Sequence, residues 1–170
     1  MKPHFVYKPK TPQLTKTLFW EAKTPNYTLY KQFATKDPRV VGIMFADSTK
    51  IDRKNYFHIL LLYVKEQGKG FGKEFIEFAK NRSKQLDCEG RVFLMADKGV
   101  YGSTTPPHIF YRKQGFTSND KAYLKIIDRF IKENKKMENK DSKALYMYYD
   151  PNKRSLLQRI KDYFNITFFA

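Results

Sequence analysis

The sequence predicts a mixed α/β domain built round a central βαβ unit, and three segments carry that reading. Asn55 to Lys65 is a nearly continuous apolar run with β-branched and aromatic members, the pattern of a strand buried on both faces. The period then changes: Phe71, Phe75, Phe78 and Ala79, with Ile76, fall on one helical stripe, which predicts a helix from near Gly70 to about Gln85. Arg91 to Ala96 reads as a second buried strand, parallel to the first if the helix is their crossover.

The other elements follow in chain order. His4–Tyr7 reads as a short edge strand. Pro12 stands where a helix can begin, and Leu14, Leu18, Phe19 and Ala22 recur at helical spacing. Tyr27 to Ala34 and Val40 to Phe45 read as two strands of a hairpin joined at Lys36-Asp37-Pro38, and Ser48 to Lys54 as polar loop. Pro106 and Pro107 open a short helix through Gln114, closed by Gly115. Tyr123, Ile127, Phe130 and Ile131 mark an amphipathic helix, Ala144 to Tyr149 a final strand, and Leu156, Leu157, Ile160 and Phe164 a helix over 152–164 before the apolar tail Phe168-Phe169.

Composition narrows the classes of function. The chain has 170 residues, 41 % of them hydrophobic and 16 % aromatic, which suits one ordinary core and is too apolar for a disordered chain. Its single cysteine, Cys88, forms no internal disulfide, and three His with one Cys make a poor structural zinc set. With no apolar run of membrane-spanning length and no apolar leader, the expectation is a cytoplasmic protein with no membrane partner. The formal charge of +16 concentrates polyanions around the chain, so nucleic acid is an alternative partner. Lysine predominates, however, accompanied by abundant Asn, Ile, Tyr and Phe and spread along the whole length, which also fits a compositional bias.

The chemistry concentrates between the two central strands, in Glu66-Gln67-Gly68-Lys69-Gly70-Phe71-Gly72-Lys73. Three glycines in five residues at a helix start let backbone N–H groups crowd round one point with the positive end of the helix dipole behind them. Such a turn can cradle a pyrophosphate, or it can be a tight turn and nothing more. Its glycines fit neither the dinucleotide fingerprint nor the Walker pattern.

Two motifs together are more specific. Gln67-Gly68-Lys69-Gly70-Phe71-Gly72, following Leu62-Tyr63-Val64, resembles the acetyl-coenzyme A signature Gln/Arg-x-x-Gly-x-Gly/Ala of the GNAT superfamily of N-acetyltransferases. About forty residues on, Phe110-Tyr111-Arg112-Lys113-Gln114-Gly115-Phe116 is similar to that family's Phe-Tyr-x-x-x-Gly-Phe. The resemblance covers roughly residues 25–118 plus a strand at 144–149. It implies a mixed, mostly antiparallel sheet with a parallel βαβ splay point and flanking helices, in one domain over 1–170. Residues 119–143 would then be a helical insertion and 152–170 a helical extension; both read as amphipathic, and at least one of them is expected to close the acceptor groove or to form a homodimer contact.

The resemblance also implies roles. Leu62, Tyr63 and Val64 would offer backbone groups to the pantetheine arm beside a bulge. The short connection to Gln67 leaves open whether Leu62 or Val64 stands at that bulge. Gln67, Gly68, Lys69, Gly70, Phe71, Gly72 and Lys73 would hold the pyrophosphate of acetyl-CoA, the expected cosubstrate. Thr104 stands where the family often has an Asn that bonds the pantetheine. Tyr111 matches the tyrosine that protonates the departing thiolate, against the alternative of an aromatic packed between helix and sheet. His58 shares a face of its strand with Tyr56, Leu60, Leu62 and Val64 and is a candidate general base, against the alternative of a buried neutral histidine. The expected activity is N-acetylation of a primary amine on a small molecule or amino acid. The alternatives are a macromolecular acceptor (a protein lysine, an N-terminus or an aminoacyl-tRNA) and a non-catalytic basic module that binds nucleic acid.

Overall fold

The computed structural model describes residues 3–7, 16–20, 40–98 and 105–152. It is a mixed α/β fold, and among the described residues six strands run β1 (Pro3–Tyr7), β2 (Lys16–Trp20), β3 (Val40–Ile51), β4 (Lys54–Val64), β5 (Val92–Ala96) and β6 (Leu145–Tyr149). They form one sheet in the order β1-β2-β3-β4-β5-β6. The pairs β1–β2, β3–β4 and β5–β6 are antiparallel, while β2–β3 and β4–β5 are parallel. Helix α1 (Phe71–Gln85) is the crossover of the parallel pair β4–β5. Helices α2 (His108–Lys113) and α3 (Lys121–Lys132), with a single 3-10 turn at Asn139–Asp141, lie between β5 and β6.

Two expectations need correction. The stretch carrying Leu18 and Phe19 is strand β2, not helix. Its β-branched Thr17 and aromatic Phe19 and Trp20 suit a pleated surface, and parallel pairing with β3 overrides a weak helical period. The polar segment Ser48–Lys54 is not a loop either. β3 continues through Ile51, and the chain reverses in a two-residue turn at Asp52 and Arg53, with φ of 47° and 64°. Two positive φ values make the turn that matches strand twist, and it ordinarily carries Asn-Gly. Because Asp-Arg gives no such signal, the hairpin was hidden. We expect Asp52→Asn with Arg53→Gly to raise stability by about 1 kcal/mol, seen as a melting temperature a few degrees higher. An unchanged or lower melting temperature would show that the turn is not strained. The expected strand over 27–34 and the helix over 152–164 lie outside the described residues.

The helices gather on one face of the sheet. Phe71, Phe75, Ile76 and Ala79 of α1, Tyr111 of α2, and Tyr123, Leu124 and Ile127 of α3 join Phe57, Ile59, Val92, Leu94, Leu145 and Met147 of the strands in one core. The insertion 119–143 is therefore covered by its own domain. Asp120 caps α3 by accepting the Tyr123 N–H at 2.9 Å. Arg112 forks onto Asp128 at 2.7 and 3.0 Å and ties α2 to α3. His108, fully buried, meets the Lys143 carbonyl at 2.8 Å and packs edge-to-face with Tyr123. These links explain why the apolar face of α3 closes onto the core rather than onto an acceptor groove or a second subunit.

A β-bridge outside the strands pairs Thr117, just past α2, with Tyr148 of β6, through N–H to carbonyl bonds of 2.9 and 2.8 Å. The chain thus returns to the edge of β6 before α3 begins.

Candidate functional site

β4 and β5 separate part-way along. They pair only over Phe57–Ile59 with Val92–Leu94. β5 continues to Ala96 against β6, whereas β4 runs on from Leu60 to Val64 along β3 alone. At the point of separation the β3–β4 register slips, with Phe45 opposite Leu61 and Ala46 opposite Ile59. Leu60 is the extra residue of a bulge and is 37 % exposed. The bulge thus falls neither at Leu62 nor at Val64. A bulge bends its strand and strengthens its twist, so the strands part where the pairing is broken. Beyond it Leu61, Leu62, Tyr63 and Val64 are half-buried, which departs from burial on both faces of the whole strand.

The opened end of β4 leads into the glycine turn. Gly68 and Gly70 have φ of 78° and 84°, the left-handed region that side chains rarely occupy, and an added Cβ at either would point into open space. The glycines are therefore set by backbone conformation, not by packing. Gly70 is the N-cap of α1, and no side chain caps it. The amides of Phe71, Gly72 and Lys73 precede the first intrahelical bond, from the Glu74 N–H to the Gly70 carbonyl at 3.2 Å, and stand at the positive end of a 15-residue helix. Lys69 and Lys73 are exposed beside them. Gly72 differs: a Cβ there would sit 3.1 Å from the Phe110 ring. Through that approach the 67–73 turn and the 110–116 segment, far apart in sequence, are adjacent in space.

Tyr111 is buried between Phe110 and Phe116, with ring centroids 5.2 and 5.7 Å away. Burial pushes its phenol well above the usual tyrosine range, so the hydroxyl stays protonated throughout physiological pH. It belongs to the core against which Leu62 and Val64 pack, so these two lie on the helix face and not, as simple alternation along the strand predicts, on the face of His58: the extra residue at Leu60 exchanges the faces beyond it. His58 occupies the other face. Its register neighbours Phe93 on β5 and Asp47 on β3 flank it, with the Phe93 ring 5.1 Å away and His58 Nδ1 3.4 Å from Asp47 Oδ1. Burial lowers the imidazole pKa, and the Asp47 carboxylate pulls it partly back. His58 is thus half-buried and paired with a carboxylate, not sealed in the core. Asp47 went unnoticed in the sequence because its role depends on the β3–β4 hairpin that the Asp-Arg turn concealed.

The structure does not bring Tyr111 and His58 together. Alternation puts Phe57 and Ile59 on the helix face and His58 on the opposite one, so the two candidates stand on either side of the sheet near the separation point. Thr104 lies outside the described residues. No family model, no curated protein and no solved structure matches the chain. Among the described residues there is no cluster of metal ligands, and no helix is long and apolar enough to cross a membrane.

Proposed function

We propose that this protein is an N-acetyltransferase of the GNAT type, moving an acetyl group from acetyl-CoA to a primary amine. The observation that carries the reading is the separation of β4 from β5 at the Leu60 bulge, leading directly into an uncapped, glycine-shaped helix N-terminus. The parallel pair parts after three paired positions, which leaves the backbone groups of β4 beyond Leu60 without a partner on β5. An extended pantetheine arm fits such a gap, because the freed edge of β4 offers it strand-type hydrogen bonds. The pyrophosphate fits the amides of residues 68–73, where φ above zero turns successive N–H groups to one side and the helix dipole favours the anion. The return of the chain to β6 at Thr117 fits the same architecture, with 119–143 inserted before the last strand.

The chemistry needs a neutral amine, a base for its proton and an acid for the thiolate. With the thioester carbonyl in the gap, the acceptor nitrogen reaches it from the His58 face. The C–N bond forms, His58 takes the amine proton, the C–S bond breaks, and Tyr111 gives its hydroxyl proton to the sulfur from the helix face. The gap is what makes acid and base on opposite faces useful. Asp47 orients the imidazole and stabilises the imidazolium that forms.

For the base the sign is fixed. Only neutral imidazole accepts a proton, so kcat/KM rises with pH along a limb placed below the ordinary histidine pKa, because burial lowers that of His58. Asp47→Asn removes the charge that opposes this lowering and shifts the limb to more acidic pH, while His58→Gln abolishes it. A pH–rate profile on the three proteins tests the assignment. A limb unchanged in His58→Gln assigns it to the amine itself.

A further inference from the structure

Three of the four large hydrophobic side chains that stand exposed among the described residues, Leu60, Met95 and Tyr146, gather at the mouth of the gap. Leu60 makes the bulge. Had β4 and β5 stayed paired beyond Ile59 and Leu94, Met95 would be its partner, so the two straddle the opening, and Met95 is the register partner of Tyr146 on β6. Their neighbours along the strands, Ile59, Leu94, Ala96, Leu145 and Met147, belong to the core on the helix face, which places all three on the opposite face. Met95 is 48 % and Tyr146 63 % exposed, and the Tyr146 ring is held by stacking on Phe93 with centroids 5.6 Å apart.

The strip has a direction. It starts where the strands part and runs across β5 to β6, away from β3 and from the Asp47–His58 pair. An acceptor has to bring its nitrogen to His58, on the side of β3, whereas the strip leaves the gap in the opposite direction. The basic side chains of this face stand at the other end of the parallel pair: Lys54 at the start of β4, 3.5 Å from Asp150, and Arg91 just before β5, over the Tyr56 ring. Leu60, Met95 and Tyr146 themselves carry one hydroxyl and no charge. An exposed apolar strip continuous with a binding cleft suits an apolar part of the same ligand.

We infer that the donor site takes an acyl chain longer than acetyl, a straight chain of about eight carbons laid across Leu60, Met95 and Tyr146, since the crossing from β4 to β6 spans two strand spacings, about 10 Å. The inference rests on the acyl-transfer reading for the place of the thioester and deepens it by naming the class of donor, a medium-chain acyl-CoA. The chain is a spectator in the bonds exchanged. The C–N bond forms at the same carbonyl carbon, the C–S bond breaks, His58 takes the amine proton and Tyr111 gives one to the sulfur. Methionine suits the strip, because its unbranched thioether adapts to a flexible chain. Each half-covered methylene adds about a factor of two in affinity, and several together about tenfold.

The test is titration calorimetry of the full chain with acetyl-CoA, butyryl-CoA and octanoyl-CoA, in wild type, Met95→Gln and Tyr146→Ala. Both side chains are largely exposed, so neither substitution empties the core. Wild type should bind octanoyl-CoA about tenfold more tightly than acetyl-CoA, with butyryl-CoA between them. Met95→Gln keeps the length of the side chain and makes it polar, and it should cut the octanoyl advantage to about threefold or less while acetyl-CoA affinity stays at the wild-type value. Tyr146→Ala should act in the same direction. Equal affinity for acetyl-CoA and octanoyl-CoA in wild type would overturn the inference and leave the acetyl-transfer reading standing. An octanoyl advantage untouched by both substitutions would overturn it too, because the chain would then lie elsewhere. So would a wild-type dimer that Tyr146→Ala dissociates, since the strip would belong to a second copy. Failure of all three thioesters to bind would reject the transfer reading itself, and this inference with it.

Discussion

If the proposed acetyl transfer is right, Tyr111→Phe should lower turnover by about 10²-fold or more, with a melting temperature close to that of the wild type. The ring of Tyr111 sits between Phe110 and Phe116, and phenylalanine preserves both contacts. Only the hydroxyl proton is lost. Because burial holds that hydroxyl protonated, the loss should be uniform across neutral pH and should fall on kcat, with the KM for the acceptor nearly unchanged. Steady-state kinetics over a range of pH separate these quantities. Full turnover in the variant would make Tyr111 a core aromatic and nothing more.

The second large effect is at the glycine turn. Gly70 has φ of 84°, so Gly70→Val strains the backbone even though the space around it is open. Relief of that strain rotates the amides of the turn away from their common point. Acetyl-CoA affinity should fall at least tenfold, since two or more charge-assisted bonds are misdirected. Stability should fall by only about 1–2 kcal/mol, because residue 70 is exposed and outside the core. Gly72→Val behaves differently: its side chain is driven into Phe110, so it disturbs the α1–α2 contact and lowers the melting temperature as well. Titration calorimetry beside thermal melts distinguishes the two variants. Equal acetyl-CoA affinity in wild type and Gly70→Val would remove the turn from the binding site.

The parts of this fold that were legible in the sequence are those whose pattern is local. The stripe of Phe71, Phe75, Ile76 and Ala79 is written at 3.6-residue spacing and became α1. The glycines at 68 and 70 were legible because their conformation admits few other residues. What stayed hidden depends on pairing. The Leu60 bulge is invisible in an apolar run, since every residue from Ile59 to Leu62 is a plausible strand residue in any register. Asp47 acquires meaning only as the cross-strand neighbour of His58, and Phe93 and Tyr146 only when β5 and β6 lie side by side. The strand at Lys16–Trp20 was misread for the same reason: its partner β3 lies far along the chain.

Amide NMR of the wild-type protein titrated with acetyl-CoA tests the central claim most directly. The account predicts saturable one-to-one shifts concentrated on the amides of Gly68, Gly70, Phe71, Gly72 and Lys73, with a second group along Leu60–Val64 where β4 has parted from β5. Saturable binding that leaves those two segments unshifted, or no binding at all, would contradict it.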